Sequence, residues 1–404
     1  MTLKQFAAAI SGFSQLSHNE RVALLLWFYN DIEKIDRVHS AKLVAAYKEL
    51  SIDPPQNFGQ HIRQLEDRRP KVVLRDSKGI HLEKRKRDSY WRGYGEAVTA
   101  AMSVNPEDAE ANRADVGIVV ALREEFSELH IQVPNWEPCP VLESGGFDYL
   151  FNQESSVPDR PYRCVVTFVG EMTHTPSAME TQRLLRTWRP RSIVNLGIAG
   201  SLDADCLLGD VVVGSVVDDY LARAKAIGTA DDAGWQFELS GEPYRPSAAL
   251  SRFASHVQFA HAATHSAFQD KAAQDLKGLL TSVQYEALVR DGLVREKPHL
   301  HLGHIASGQI VGASAAFTAW LKQQRDRSYL AIEMEAAGVL AAVHQQIDPQ
   351  RAIIIRGISD LGDERKKKFD SIGKGAIRVY SMRNCVRFLF MLMSLGAFPF
   401  EDTQ

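Results

Sequence analysis

The sequence predicts an α/β protein, a layered domain around a mostly parallel central sheet with a small helical domain in front of it. Three observations predict this. From Asp115 onward, predominantly apolar runs recur at Val116–Ala121, Cys164–Val169, Ser192–Leu196, Val211–Val217 and Ala352–Ile355. Runs that do not alternate with polar residues mark strands covered on both faces. Helical patterns separate several of them, at Ser177–Trp188 and Glu333–Gln346, and Ile377–Leu395 follows the last; strands alternating with helices imply a largely parallel sheet. Finally, 404 residues exceed the usual size of one hydrophobic core, and charge divides the chain. Residues 1–95 hold 17 Lys+Arg against 11 Asp+Glu, a net +6, whereas the remainder carries −9.

In chain order, Ser17 caps a helix over Glu20–Ile35, with Glu20 at capping-box spacing. Ser40–Leu50 reads as a second helix, Pro54-Pro55 breaks the chain, and Asn57–Glu66 reads as a third. Lys71–Arg75, the turn Asp76-Ser77-Lys78-Gly79 and Ile80–Leu82 then read as strand, turn and strand. Three helices followed by a hairpin outline a winged helix-turn-helix, so residues 1–95 are expected to form a winged-helix-like regulatory or interaction domain. Residues 96–113 are polar, with few apolar anchors after Met102, and are expected to be a linker. Residues 114–404 form the layered domain, in which 219–300 is a less regular, extended insertion with a helix at Ala267–Leu280.

Composition excludes several classes. The hydrophobic fraction of 45% and charged fraction of 24% are those of a globular protein, not of a disordered chain. Cys139, Cys164, Cys206 and Cys385 form no C-x-x-C pair and read as free thiols of a reducing compartment; no metal or other cofactor is expected. Met1–Ile10 lacks the apolar core of a secretory signal. Phe388–Phe400 falls short of the roughly 20 residues of a membrane span and reads as a buried terminal helix. The expectation is a cytoplasmic protein without a membrane partner.

Chemistry-bearing residues fall at the C-terminal ends of the apolar runs, where open α/β sheets bind ligands. The first run delivers Leu122-Arg123-Glu124-Glu125. The third ends in Asn195-Leu196-Gly197-Ile198-Ala199-Gly200, whose glycines permit close backbone approach to a ligand. Glu333-Met334-Glu335 and Arg356-Gly357-Ile358-Ser359-Asp360 make the strongest cluster. Two glutamates at i, i+2 do not share a helix face, so one of them projects elsewhere. Each segment alone has a bland reading: acids complementing a helix dipole, a packing turn, a structural ion pair.

Together, and with Ile305-Ala306-Ser307-Gly308, these segments resemble the nucleoside phosphorylase and nucleosidase superfamily. The likeness is greatest to the hydrolases that include methylthioadenosine/adenosylhomocysteine nucleosidase, and it covers roughly residues 115–395. The resemblance implies a phosphorylase/hydrolase-like fold and cleavage of the N-glycosidic bond of a purine nucleoside or nucleotide. It implies that Asp360 is the general acid toward the purine N7, Glu125 the residue that readies water, and Arg356 a third catalytic group. Glu335 would accept from the ribose hydroxyls, with Met334 under the sugar and Glu333 beside it; Gly197, Ala199, Gly200, Ser307 and Val311 would line the cleft. Phosphorolytic relatives carry a Gly-Asp-Pro-x-Arg segment where this sequence has Leu122-Arg123-Glu124-Glu125, which favours water over phosphate; Arg123 remains able to hold an anion.

The sequence departs from the small nucleosidases in three places. Gln309-Ile310-Val311 follows Ser307-Gly308 where they have an aromatic residue, Ile198 stands for a serine of the glycine segment, and residues 219–300 are longer, leaving ATP, AMP, NAD and adenosine-type compounds as candidate substrates. A basic module fused to a nucleosidase is similar to bacterial anti-phage effectors. Lys84-Arg85-Lys86-Arg87 beside Tyr90 and Trp91 suits nucleic-acid phosphates, a sensor protein, or a merely solvated helix face. A homo-oligomer is expected from the family. The alternatives are a phosphate-dependent purine nucleoside phosphorylase and a nucleoside-sensing DNA-binding regulator.

Overall fold

A computed structural model of the chain describes residues 1–10, 12–103, 113–133, 135–141, 146–228, 234–346 and 351–400. The chain divides into two units, Met1–Asn112 with His344–Pro349, and Arg113–Val343 with Gln350–Gln404.

The first unit opens with α1 (Leu3–Ala8) and α2 (His18–Trp27). Ser17 and Glu20 form the reciprocal cap that their spacing predicts: the Glu20 amide donates to Ser17 Oγ at 3.3 Å and the Ser17 amide to Glu20 Oε2 at 3.0 Å. The α-helix does not run to Ile35; one π turn follows at Phe28–Ile32. There the buried Asn30 amide donates to the Ile35 carbonyl at 2.8 Å and its oxygen accepts from the Leu82 amide, so a side chain takes over backbone partners and bends the chain away. Helices α3 (Ser40–Glu49) and α4 (Phe58–Asp67) precede a hairpin of β1 (Val73–Asp76) and β2 (Gly79–Leu82). Asp76 Oδ1 closes its turn by accepting from the Lys78 and Gly79 amides. Helix α5 spans Lys84–Ser103, so residues 96–103 of the expected linker are helical; residues 104–112 lie outside the described residues. Phe6, Trp27, Phe28, Tyr47 and Ile62 fill this unit's core.

In the second unit, each apolar run becomes a buried strand. Its elements are β3 (Val116–Val120), α6 (Arg123–Gln132), β4 (Glu137–Val141), β5 (Gly146–Gln153), β6 (Tyr162–Phe168), α7 (His174–Trp188), β7 (Ser192–Ser201) and β8 (Val211–Asp219). The region 219–300 is regular rather than loose. It holds the hairpin β9 (Lys225–Gly228) and β10 (Trp235–Glu238), strand β11 (Glu242–Tyr244), and helices α8 (Ala248–Ala260), α9 (Ala262–Leu279) and α10 (Ser282–Arg290). Then come β12 (Leu300–Ser307), α11 (Ala315–Gln324), β13 (Tyr329–Glu333), α12 (Ala336–His344), β14 (Arg351–Asp360), α13 (Lys366–Ser371) and α14 (Ala376–Ser394).

The main sheet runs β11-β8-β12-β13-β7-β3-β6-β5-β4, with β14 pairing both β7 and β8. Its centre is largely parallel, as expected, and its edges make it mixed. Strands β7, β3 and β6 are parallel, as are β8, β12 and β13, and β14 with β7; the edge pairings of β4, β5 and β11 are antiparallel. Brief antiparallel contacts of β13 with β7 and of β14 with β8 join the two parallel groups. The pairings therefore close on themselves, from β8 through β12, β13, β7 and β14 back to β8. This closure carries the ends of β12, β13, β14 and β7 to one region. Among the described residues, no helix is long and apolar enough to cross a membrane.

Candidate active site

Glu333, expected to start a helix, instead ends β13, and α12 begins at Ala336. Its own side chain explains why. Glu333 Oε2 accepts from the Glu335 amide at 3.0 Å and the Ala336 amide at 2.9 Å, satisfying donors that a helix start leaves bare. The turn this creates frees Glu335 from any helix face, and the Thr173 backbone hydrogen-bonds its carboxylate. Thr173 has φ +96°, a conformation costly for a β-branched residue and an observed strain beside the site.

Arg356 projects from β14 and is 1% exposed. Its Nη2 donates to Glu333 Oε2 and Asn195 Oδ1, and lies 3.8 Å from Glu335 Oε2. Glu125, on the first turn of α6, is held by two amides: Leu122 N donates to Oε2 at 2.9 Å and Ile198 N to Oε1 at 2.8 Å. Three buried carboxylates therefore face one guanidinium. Burial raises all three, but Arg356 and its hydrogen bonds outweigh burial at Glu333 and hold that group below the usual carboxylate range. Burial raises Glu125 against the opposing pull of Arg356. Burial, then repulsion from Glu333, pushes Glu335 up to about 8.

The two glycines of β7 mark where side chains crowd this strand. A Cβ on Gly197 would lie 2.8 Å from both Glu125 Oε1 and Arg356 Nη1, and one on Gly200 would lie 2.7 Å from Asp360 Oδ1. Asp360 reaches Gly200 through a register shift in β14: Ile358 pairs with Ala199, and Asp360 rather than Ser359 stands opposite Gly200. Asp360 Oδ1 accepts from the Gly362 amide at 3.0 Å, and its Oδ2 is ion-paired with Lys366 Nζ.

The structure thus gathers Glu125, Glu333 and Glu335 around the Arg356 guanidinium at Gly197, and sets Asp360, at the end of β14, beside Gly200, three residues beyond Gly197 on β7. Ser307, at the end of β12, is fully buried; its Oγ accepts from the Ala337 amide at 3.1 Å and lies 2.9 Å from His174 Nε2. Ala199 is buried on β7, and Met334 is partly buried. Val311 is half exposed and Arg123 exposed, and the described hydrogen bonds and ion pairs tie neither to the cluster. Three residues at the site escaped sequence reasoning. Asn195, which opens the glycine segment of the third run, takes no role from the sequence although a lone amide inside an apolar strand is a signal; His174 carries none, because only the fold brings it in, and Lys366 is one of three consecutive lysines with nothing to single it out.

Fold and site define a class, and residues 115–380 match the model of the phosphorylase superfamily, to which this chain belongs. Two curated relatives are more particular. An ATP nucleosidase, Cap17, from Escherichia coli (strain KTE188) is 26% identical over 244 residues, 60% of this chain and 45% of that protein. A 5'-methylthioadenosine/S-adenosylhomocysteine nucleosidase from Desulfotalea psychrophila is 28% identical over 132 residues, 33% of this chain and 49% of that protein. The chain spans about half the length of these curated relatives. Among solved structures, the 5'-methylthioadenosine/S-adenosylhomocysteine nucleosidase of Neisseria meningitidis is 19% identical with a TM-score of 0.46, over 69% of this chain and 97% of that one.

Proposed function

We propose that this chain hydrolyses the N-glycosidic bond of a purine nucleoside or nucleotide. One observation carries the reading: strand β7 presents Glu125 at Gly197 and Asp360 at Gly200, with Glu335 and Arg356 beside the former. Gly197 and Gly200 are about 10 Å apart along the strand and turn to opposite faces of it, so the two carboxylates flank the end of β7. A sugar near Gly197 would meet Glu335 and a water held by Glu125, and its base would extend toward Asp360. Cleavage develops positive charge on the ribose and negative charge on the leaving base. Buried carboxylates beside the sugar favour the first, and a proton from Asp360 to N7 removes the second. Arg356 keeps Glu333 charged and fixed, so the turn bearing Glu335 holds its shape. The names of the two curated relatives, both nucleosidases of adenine compounds, support a purine substrate.

Water is favoured as nucleophile because Glu125 occupies the start of α6, where its charge repels phosphate. In the same proposal, residues 1–95 form a winged-helix-like module that gates the enzyme by contacting nucleic acid or a sensor protein, in an effector of the anti-phage kind acting as a homo-oligomer. The exposed Lys84 and Arg85 at the start of α5 support the contact. The test is chromatography of ATP, AMP, NAD, adenosine, inosine and guanosine after incubation with the full chain, with and without phosphate. Free base with free ribose or ribose phosphate, independent of added phosphate, is the expected result. Phosphate-dependent ribose 1-phosphate selects the phosphorylase reading, and no base from any compound overturns the enzyme.

A further inference from the structure

In the nucleosidase reading Asp360 is reprotonated once per turnover, yet the residue is only 1% exposed. Its Oδ1 is occupied by the Gly362 amide, and its Oδ2 meets Lys366 Nζ, with Ser359 Oγ at 3.4 Å. Lys366 opens α13, and its side chain is about a quarter exposed, so it touches both the buried acid and solvent. Neighbouring acids are otherwise engaged. Asp363 accepts from Arg365 Nε and Nη2, and Glu364 accepts from the Ala315 amide at 3.1 Å. The lysine is thus committed to Asp360.

We propose that Lys366 is the source of the proton that reaches the departing base, acting through Asp360; this rests on the nucleosidase reading above. As the C1′–N9 bond breaks, its electron pair leaves with the purine. N7 takes a proton from Asp360, and Asp360 takes one from the Lys366 ammonium. The attacking water forms the new bond at C1′ and yields its proton to Glu125. The Lys366 amine then regains a proton from solvent, and Glu125 returns one, so charge balances over the cycle. Lysine and arginine differ here in chemistry, since both neutralise a carboxylate but a guanidinium does not release a proton.

The test uses the full chain with ATP as probe. Lys366→Arg keeps the ion pair and is expected to lower kcat about 10²-fold or more, with KM within about threefold of wild type. Lys366→Ala is expected to fall as far and to be restored by added methylammonium but not by guanidinium, a readout that survives if the arginine variant folds poorly. Wild-type turnover by Lys366→Arg, or equal rescue of Lys366→Ala by guanidinium, reduces Lys366 to a charge that positions Asp360 and overturns the relay alone. A wild-type chain that releases no base from ATP or the other purine compounds overturns the nucleosidase reading, and the relay with it.

Discussion

Gly197→Ala tests whether Glu125 and Arg356 work as a fitted pair. The added methyl would stand 2.8 Å from Glu125 Oε1, 2.8 Å from Arg356 Nη1 and 3.3 Å from Glu125 Cδ. Ordinary contact requires each oxygen and nitrogen to retreat by roughly 0.6 Å. Neither is the loose end of a mobile side chain. Two amides pin Glu125, while Glu333 and Asn195 pin Arg356. Overpacking of this kind costs about 1–3 kcal/mol, and shifting a group that positions the nucleophile by up to an ångström costs up to about 10²-fold in rate. The expectation is a folded protein, with kcat for base release down about 10- to 100-fold. Thermal unfolding by circular dichroism and chromatographic base release are measured together. Gly278→Ala is the control, because nothing lies within 4 Å of a Cβ there near the end of α9; it should leave turnover unchanged and stabilise by up to about 1 kcal/mol. A Gly197→Ala enzyme with wild-type turnover would refute the contact geometry on which the site is built.

The remaining predictions concern the acid, the ribose site and the amino-terminal unit. Asp360→Asn should lower kcat by about 10²–10⁴ with little change in binding of a non-cleavable nucleoside analogue, and near-wild-type base release removes it as general acid. Glu335, pushed up to about 8, is protonated below that pH in the empty site. Ribose hydroxyls donate to the ionised form, so binding expels the proton. Calorimetric affinity for the analogue should therefore rise from pH 6 to about 8, by at most about tenfold per unit, and level off above. Glu335→Gln should flatten that profile, and a profile unchanged by the substitution excludes Glu335 from the ribose site. Ser17→Ala removes one half of a formed capping box and should weaken α2 by about 1 kcal/mol, read as roughly fivefold faster hydrogen exchange there with base release unchanged.

Much of this protein was legible because its signals are local. A Val-Gly-Ile-Val-Val run buries both faces wherever it sits, so strand β3 followed from composition alone. Ser17 and Glu20 satisfy each other's amides within one turn, and that helix start needed no distant partner. The candidate site segments could be singled out for a related reason: a carboxylate directly after an apolar strand has few places to point except the sheet's end.

What escaped sequence reasoning depends on pairings between distant residues. The sheet is mixed because two parallel groups are joined by short antiparallel contacts, and strand periodicity carries no record of partners. Glu96–Ser103 was missed for a different reason: read as part of a linker, it continues helix α5, and its Ala-Val-Thr-Ala-Ala-Met run is a local helix signal.

By itself, the sequence determined the strand-forming runs, the capped start of α2 and the residue types from which the site is made, since each follows from burial or hydrogen bonding among near neighbours. Only the tertiary structure decided that Glu333 caps α12, that a slip in β14 turns Asp360 toward Gly200, and that Lys366 meets that acid. The slip rests on the pairing of β14 with β7, strands far apart in the chain, where moving one residue exchanges a buried partner for another; the cap and the lysine pair span only two to six residues, and the strands those turns leave set which way they fold.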